Sequence, residues 1–134
     1  MAMMRTFLQK KLWRDKAAEQ LEAHGSHLEY RTLTDAEYDR ELRNKLSEEA
    51  AEVCTAKNSA ELIAELADVL EVIDALCAAH ALDRAALEAV QQKKRESRGG
   101  FYKRVYVERA HHPVGGFGEA YCLADPEKYP EVIE

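Results

Sequence analysis

Two short carboxylate clusters carry the clearest chemical potential in this chain. One is Glu48-Glu49-Ala50-Ala51-Glu52; the other, after twelve intervening residues, is Glu65-Leu66-Ala67-Asp68. On a helix, residues three apart have Cβ atoms about 5–6 Å from one another, so each pair can act as a two-pronged oxygen ligand. Placement sharpens the reading. Glu49 follows Leu46 by three residues and precedes Val53 by four, and Glu65 and Asp68 border Leu62, Leu66, Val69 and Val72. Carboxylates directed toward an apolar stripe must be paired, protonated or metal-bound, because uncompensated burial costs several kcal/mol per ion. One such pair in a chain this charged reads as solvated surface. Two on consecutive helices, both beside an apolar stripe, predict a site for a hard divalent cation, Mg²⁺ or Mn²⁺ rather than zinc.

Basic residues that could face an anionic substrate fall in three places. Lys11-Leu12-Trp13-Arg14-Asp15-Lys16 sets cations near the start, with Trp13 read as core packing. Lys45 precedes Glu49 by four residues. Lys93 to Arg98 closes the last long helical pattern ahead of Gly99-Gly100, where cations also complement the helix dipole, and Arg98 can form bidentate phosphate contacts. The five histidines lack zinc-ligand spacing. There is no glycine-rich phosphate loop, no dinucleotide-fold glycine fingerprint and no nucleophilic serine elbow. A di-iron bundle would need Glu-x-x-His pairs on helices, and no predicted helix carries one.

The elements that must position these groups follow from periodicity and caps. A first helix is predicted over residues 10–23, ending at Gly25. Thr34 to Glu37 forms a capping box for a second helix with an apolar stripe at Tyr38, Leu42, Leu46, Ala50 and Val53. Asn58 caps a third, through Leu62, Leu66, Val69, Ile73 and Leu76. Asp83 caps a fourth, ending near Ser97. Residues 101–107 are rich in β-formers and predict a short strand or extended stretch. The remainder holds all three prolines and Gly115-Gly116-Phe117-Gly118, an irregular arm. The expected fold is all-α: a four-helix bundle over residues 1–110 with an extended tail over 111–134.

The bulk numbers set limits. The 134 residues suffice for one hydrophobic core, and 33% charged residues with 46% hydrophobic suit a folded helical chain. A net charge of -6 argues against general nucleic-acid binding. No apolar run approaches the roughly 20 residues that span a bilayer, and no signal-peptide pattern opens the chain. Cys54, Cys77 and Cys122 form no Cys-x-x-Cys pair and read as reduced packing residues, so the expected compartment is the cytoplasm. Leu62, Ile63, Leu66, Leu70 and Ile73 present more apolar surface than a thin four-helix domain can bury, which predicts self-association.

Glu48-Glu49-x-x-Glu52 followed by Glu65-x-x-Asp68 resembles the signature of the MazG-like all-α nucleotide pyrophosphohydrolases. That superfamily includes phosphoribosyl-ATP pyrophosphohydrolases, dimeric dUTPases and dCTP pyrophosphatases. Lys11 to Lys16 is similar to the Lys-Leu-Val-Arg-Asp-Lys opening of a phosphoribosyl-ATP-pyrophosphohydrolase-like subgroup, with Trp13 in place of the usual small apolar residue. Lys94 to Phe101 is similar to that subgroup's basic run ahead of Gly-Gly-Phe. The resemblance extends from about Lys10 to Val107. It implies Mg²⁺, with Mn²⁺ as a substitute, on Glu49, Glu52, Glu65 and Asp68; a core built from two or more subunits, as a homodimer or homotetramer; and hydrolysis of a nucleoside triphosphate to monophosphate and pyrophosphate. Glu48 or Glu49 would accept the proton of the attacking water, and Arg14, Lys16, Lys45, Lys94 and Arg98 would neutralise the phosphates. No residue obviously reads the base. The opening segment favours removal of unwanted or damaged nucleotides over phosphoribosyl-ATP hydrolysis in histidine biosynthesis. A catalytically silent helical binding module is the alternative from another class.

Overall fold

A computed structural model describes residues 3–133. The described residues are all-helical, with five helices and no strand: α1 (Ala17–Glu22), α2 (Asp35–Thr55), α3 (Ser59–Ala79), α4 (Arg84–Arg98) and α5 (Phe117–Leu123). The chain divides into two compact units, residues 1–94 and 95–134.

In the first unit the framework is a hairpin of α2 and α3. The capping box forms as the sequence predicts: the Glu37 amide donates to Thr34 Oγ1 at 3.3 Å, and the Thr34 amide donates to the Glu37 carboxylate at 3.2 Å. Arg31 grips the same carboxylate through two further bonds, which fixes the entry into α2. Asn58 caps α3 by accepting from the Glu61 amide at 2.9 Å. With only three residues between two 21-residue helices, α2 and α3 fold back on each other. His80 at the end of α3 meets Asp39 near the start of α2 at 2.6 Å. The buried residues of this pair are Leu42, Val72, Cys77 and, among them, Glu49. Asp83 caps α4, its carboxylate accepting from the Ala85 amide at 2.9 Å, and Arg84 pairs with Asp74 of α3. Neither α1 nor α4 contributes a buried residue, so a helical bundle is compatible with the chain but its core is thin.

Several expectations change. The first helix begins at Ala17 rather than Lys10 and spans six residues. Residues 10–16 are non-helical, and Lys10 takes a positive φ of 49°. Lys11 and Arg14 are bonded to acids on α2 and α3, and those distant contacts override local helix propensity. The end of α1 is as expected: Gly25, at φ 99°, closes a Schellman motif in which the Ser26 amide reaches Leu21 O and the Gly25 amide reaches Glu22 O. α3 ends in the same way, but with Ala81 in the left-handed position at φ 52°.

In the second unit no strand forms among the described residues of 101–107. Arg104 instead turns the chain, with φ 60° and its amide bonded to Phe101 O; β-forming side chains without a partner strand have no ladder to join. The tail is less irregular than the prolines imply. It contains α5, on which Phe117 meets Tyr121, and Tyr121 in turn meets Tyr129 beyond the helix, the rings tilted and their centroids 6.1 and 5.6 Å apart. All three cysteines are free; Cys77 is the buried packing residue expected, whereas Cys54 is exposed. Among the described residues no helix is long and apolar enough to cross a membrane.

Candidate metal centre

Glu49 and Glu52 lie one helical turn apart on α2, and Glu65 and Asp68 lie one turn apart on α3. The hairpin brings the two pairs face to face: one carboxylate oxygen from each of the four residues lies within 4.8 Å of every other. Ligand oxygens on opposite sides of one octahedral Mg²⁺ are about 4.1 Å apart. Small side-chain adjustments would therefore close the set around a cation, and four oxygens select a hard one.

Two observations favour a ligand over a solvated acidic face. Glu49 is 7% exposed, the one buried charged residue among those described. Its Oε2 and the Oε2 of Glu65 are both buried without a hydrogen-bond partner. An ionised oxygen in that state is costly, and a cation at the convergence point would satisfy both. The electrostatics agree. Burial, followed by the neighbouring Glu52 carboxylate, pushes the Glu49 carboxyl above its ordinary range, and a hydrogen bond with Glu65 pushes Glu52 up as well. Crowded carboxylates resist ionisation because each charge repels its neighbours.

Cations line the edge of the cluster. Lys45, on α2, lies 3.4 Å from Glu48 and 3.5 Å from Glu49. From the N-terminal segment Lys11 reaches Glu48 at 3.1 Å, and Arg14 reaches Asp68 at 2.6 Å. The Lys11 hydrogen bond holds the Glu48 carboxyl below its ordinary range. Five carboxylates thus face three cations, leaving two negative charges, the charge of one divalent ion. Lys11 and Arg14 are exposed, so their two ion pairs each contribute only about 0–1 kcal/mol and yield readily to a competing ligand, whereas Lys45 pairs with Glu49 in a more buried setting.

Of the residues predicted from sequence, Glu48, Glu49, Glu52, Glu65, Asp68, Lys45 and Arg14 therefore come together. Lys16 is exposed at the N-cap of α1. Lys94 is exposed at the end of the first unit and Arg98 is exposed in the second, in the last turns of α4. Lys11, among the cations expected to face an anionic substrate, joins the cluster; its pairing with Glu48, 37 residues away, is what the sequence does not reveal. Trp13 was misplaced. Rather than sitting in a core, it is half-buried and lines a cavity of about 650 Å³ with Lys11 and Arg14. Comparison with protein-family models, with curated proteins and with solved structures finds no match to this chain.

Proposed function

We propose that this chain is a Mg²⁺-dependent nucleotide pyrophosphohydrolase of the MazG-like kind, splitting a nucleoside triphosphate into monophosphate and pyrophosphate. The observation that carries the proposal is the convergence of Glu49, Glu52, Glu65 and Asp68, of which Glu49 and Glu65 each carry a buried, unpartnered oxygen, with Lys11, Arg14 and Lys45 at the rim. Mg²⁺ held there would supply Lewis acidity toward phosphate oxygens and a more acidic bound water.

The chain's own groups have distinct tasks in this reading. Lys11, Arg14 and Lys45 exchange their carboxylate contacts for oxygens of the triphosphate, and Arg14 can make bidentate contacts. Lys16 and Lys94 remain candidates for the outer phosphates. Glu48 and Glu49 are the candidate proton acceptors for the attacking water. The two Glu48 oxygens are engaged by Lys11 and Lys45, whereas Glu49 Oε2 has no partner and can ligate or accept without breaking a bond.

The active unit is a homodimer or larger assembly of this chain. On α3, Leu62, Ile63, Leu66 and Leu70 are 41%, 69%, 46% and 47% exposed, a contiguous apolar face that a second copy would cover. House-cleaning of unwanted nucleotides in the cytoplasm is the proposed role. The deciding experiment incubates the protein with a panel of ordinary and damaged nucleoside triphosphates and with phosphoribosyl-ATP, with and without Mg²⁺. Equimolar monophosphate and pyrophosphate, released only with the metal, is the expected result. Absence of turnover on every substrate would overturn the proposal.

A further inference from the structure

A cavity lies beside the carboxylate cluster, with Lys11 and Arg14 in its lining. It holds about 650 Å³, within the range of about 300–1,000 Å³ that encloses small organic ligands. Four pieces of the first unit form its walls: residues 9–15, Ala18 of α1, the connector 28–33 and the opening turns of α2 at Glu37, Arg40 and Glu41. The lining is mixed in the way a nucleoside requires. Leu12, Trp13, Leu28 and Leu33 give apolar and aromatic surface, and Glu41 and Arg40 give polar groups. The bidentate Arg31–Glu37 pair braces one wall.

Its position matters more than its size. Lys11 and Arg14 belong to the cavity lining and also bond Glu48 and Asp68, so the cavity and the carboxylate cluster share one wall. From Glu41 at the cavity to Glu48 at the cluster is seven residues of α2, about 10 Å along the helix axis. A phosphate chain seated at the Lys11–Arg14 rim would then direct its nucleoside into the cavity. Trp13, adjacent to Arg14, is the largest π-surface there, and a half-buried indole lining an open cavity is an unsatisfied packing surface.

We propose that this cavity holds the nucleoside of the substrate, with the base stacked on Trp13. The site accordingly selects nucleoside polyphosphates over inorganic polyphosphates and base-free sugar pyrophosphates. The inference rests on the nucleotide reading above, but its test does not require turnover.

Trp13 is the one tryptophan in the chain, so its fluorescence reports on the cavity directly. The protein is titrated with nucleoside triphosphates, with inorganic tripolyphosphate and with phosphoribosyl pyrophosphate, all with Ca²⁺ in place of Mg²⁺ and excited at the red edge of indole absorption. Nucleotides should quench Trp13 strongly, while the two base-free compounds should change it little. By calorimetry, Trp13→Ala should bind the same nucleotides about 5- to 150-fold more weakly, the loss expected for one base–aromatic stack. Trp13→Phe should recover most of that loss. The shift in melting temperature produced by Mg²⁺ alone should be the same in all three proteins, which excludes a folding defect. Quenching by nucleotides in a protein that hydrolyses none of them would uphold the cavity and defeat the hydrolase reading. Hydrolysis with no response from Trp13, or with nucleotide affinity unchanged in Trp13→Ala, would overturn the cavity inference alone.

Discussion

Replacing Glu49 by Gln separates a metal centre from a structural acid cluster through stability alone. Glu49 is 7% exposed, its Oε2 is unpartnered, and the nearest compensating cation, Lys45, is 3.5 Å from the other oxygen. Gln keeps the shape, removes the charge and adds an amide donor facing the acids of the cluster. The gain should be about 1–2 kcal/mol at neutral pH, near one hydrogen bond plus relief of repulsion, or a rise of about 3–8 °C in Tm. The pH dependence has a definite sign. The folded carboxyl of Glu49 lies above its unfolded value of about 4.3, so the native state binds more protons than the unfolded state across that interval. Wild-type stability without metal therefore falls as pH rises from about 4.3 through the raised folded value, and Glu49→Gln should flatten that fall. Mg²⁺ reverses the balance: at a hundred times its Kd it should stabilise the wild type by about 2.7 kcal/mol, and the variant far less. Thermal melts of both proteins across pH 4–8, with and without Mg²⁺, provide the assay. A Glu49→Gln protein that is less stable without metal, yet keeps the full Mg²⁺ response, would make Glu49 a structural acid and not a metal ligand.

Other perturbations test separate parts of the structure. Glu49→Gln should reduce pyrophosphate release more than Glu48→Gln, whose carboxylate is already occupied by two lysines; a steady-state comparison with the reverse order would assign the proton acceptor to Glu48. Arg14→Ala should lower kcat/KM about tenfold or more, since a charge-assisted phosphate contact contributes about 1.5–3 kcal/mol, and unchanged kinetics would return Arg14 to a surface pairing role. Arg31 and the cap hold the Glu37 carboxyl at about 2. The stability it confers is present above its unfolded value of about 4.3 and is lost as pH falls toward 2; acid melts of Glu37→Gln should lack that part of the decline. Leu66→Glu should shift light scattering toward the 15.2 kDa monomer, and an unaltered assembly would place the subunit contact elsewhere than the α3 face.

The parts of this molecule legible in its sequence are those written in short-range spacing. Thr34–Glu37, Asn58 and Asp83 cap helices because a cap needs only residues two or three positions apart. Glu49 reads as buried because an apolar stripe flanks it within one turn on either side. The segment 10–16 was illegible for the opposite reason. It contains no Pro or Gly to break a helix, and what extends it is pairing with Glu48 and Asp68, 37 and 54 residues away. Trp13 follows from the same error, since a tryptophan placed on a helix is assigned to the core while one on an extended segment can face a cavity. Phe101 to Val107 carries strand-forming residues that find no partner strand among those described, and α5 lies hidden among prolines and glycines that mark only its flanks.

A crystal grown with Mn²⁺ and a non-hydrolysable α,β-imido nucleoside triphosphate tests directly whether the four carboxylates bind the cation that nucleotide hydrolysis requires. Anomalous scattering should place Mn²⁺ within about 2.0–2.3 Å of oxygens from Glu49, Glu52, Glu65 and Asp68, with Lys11 and Arg14 moved from Glu48 and Asp68 onto phosphate oxygens. Mn²⁺ bound elsewhere, with Arg14 still on Asp68 and Lys11 still on Glu48, would contradict that role for the four carboxylates.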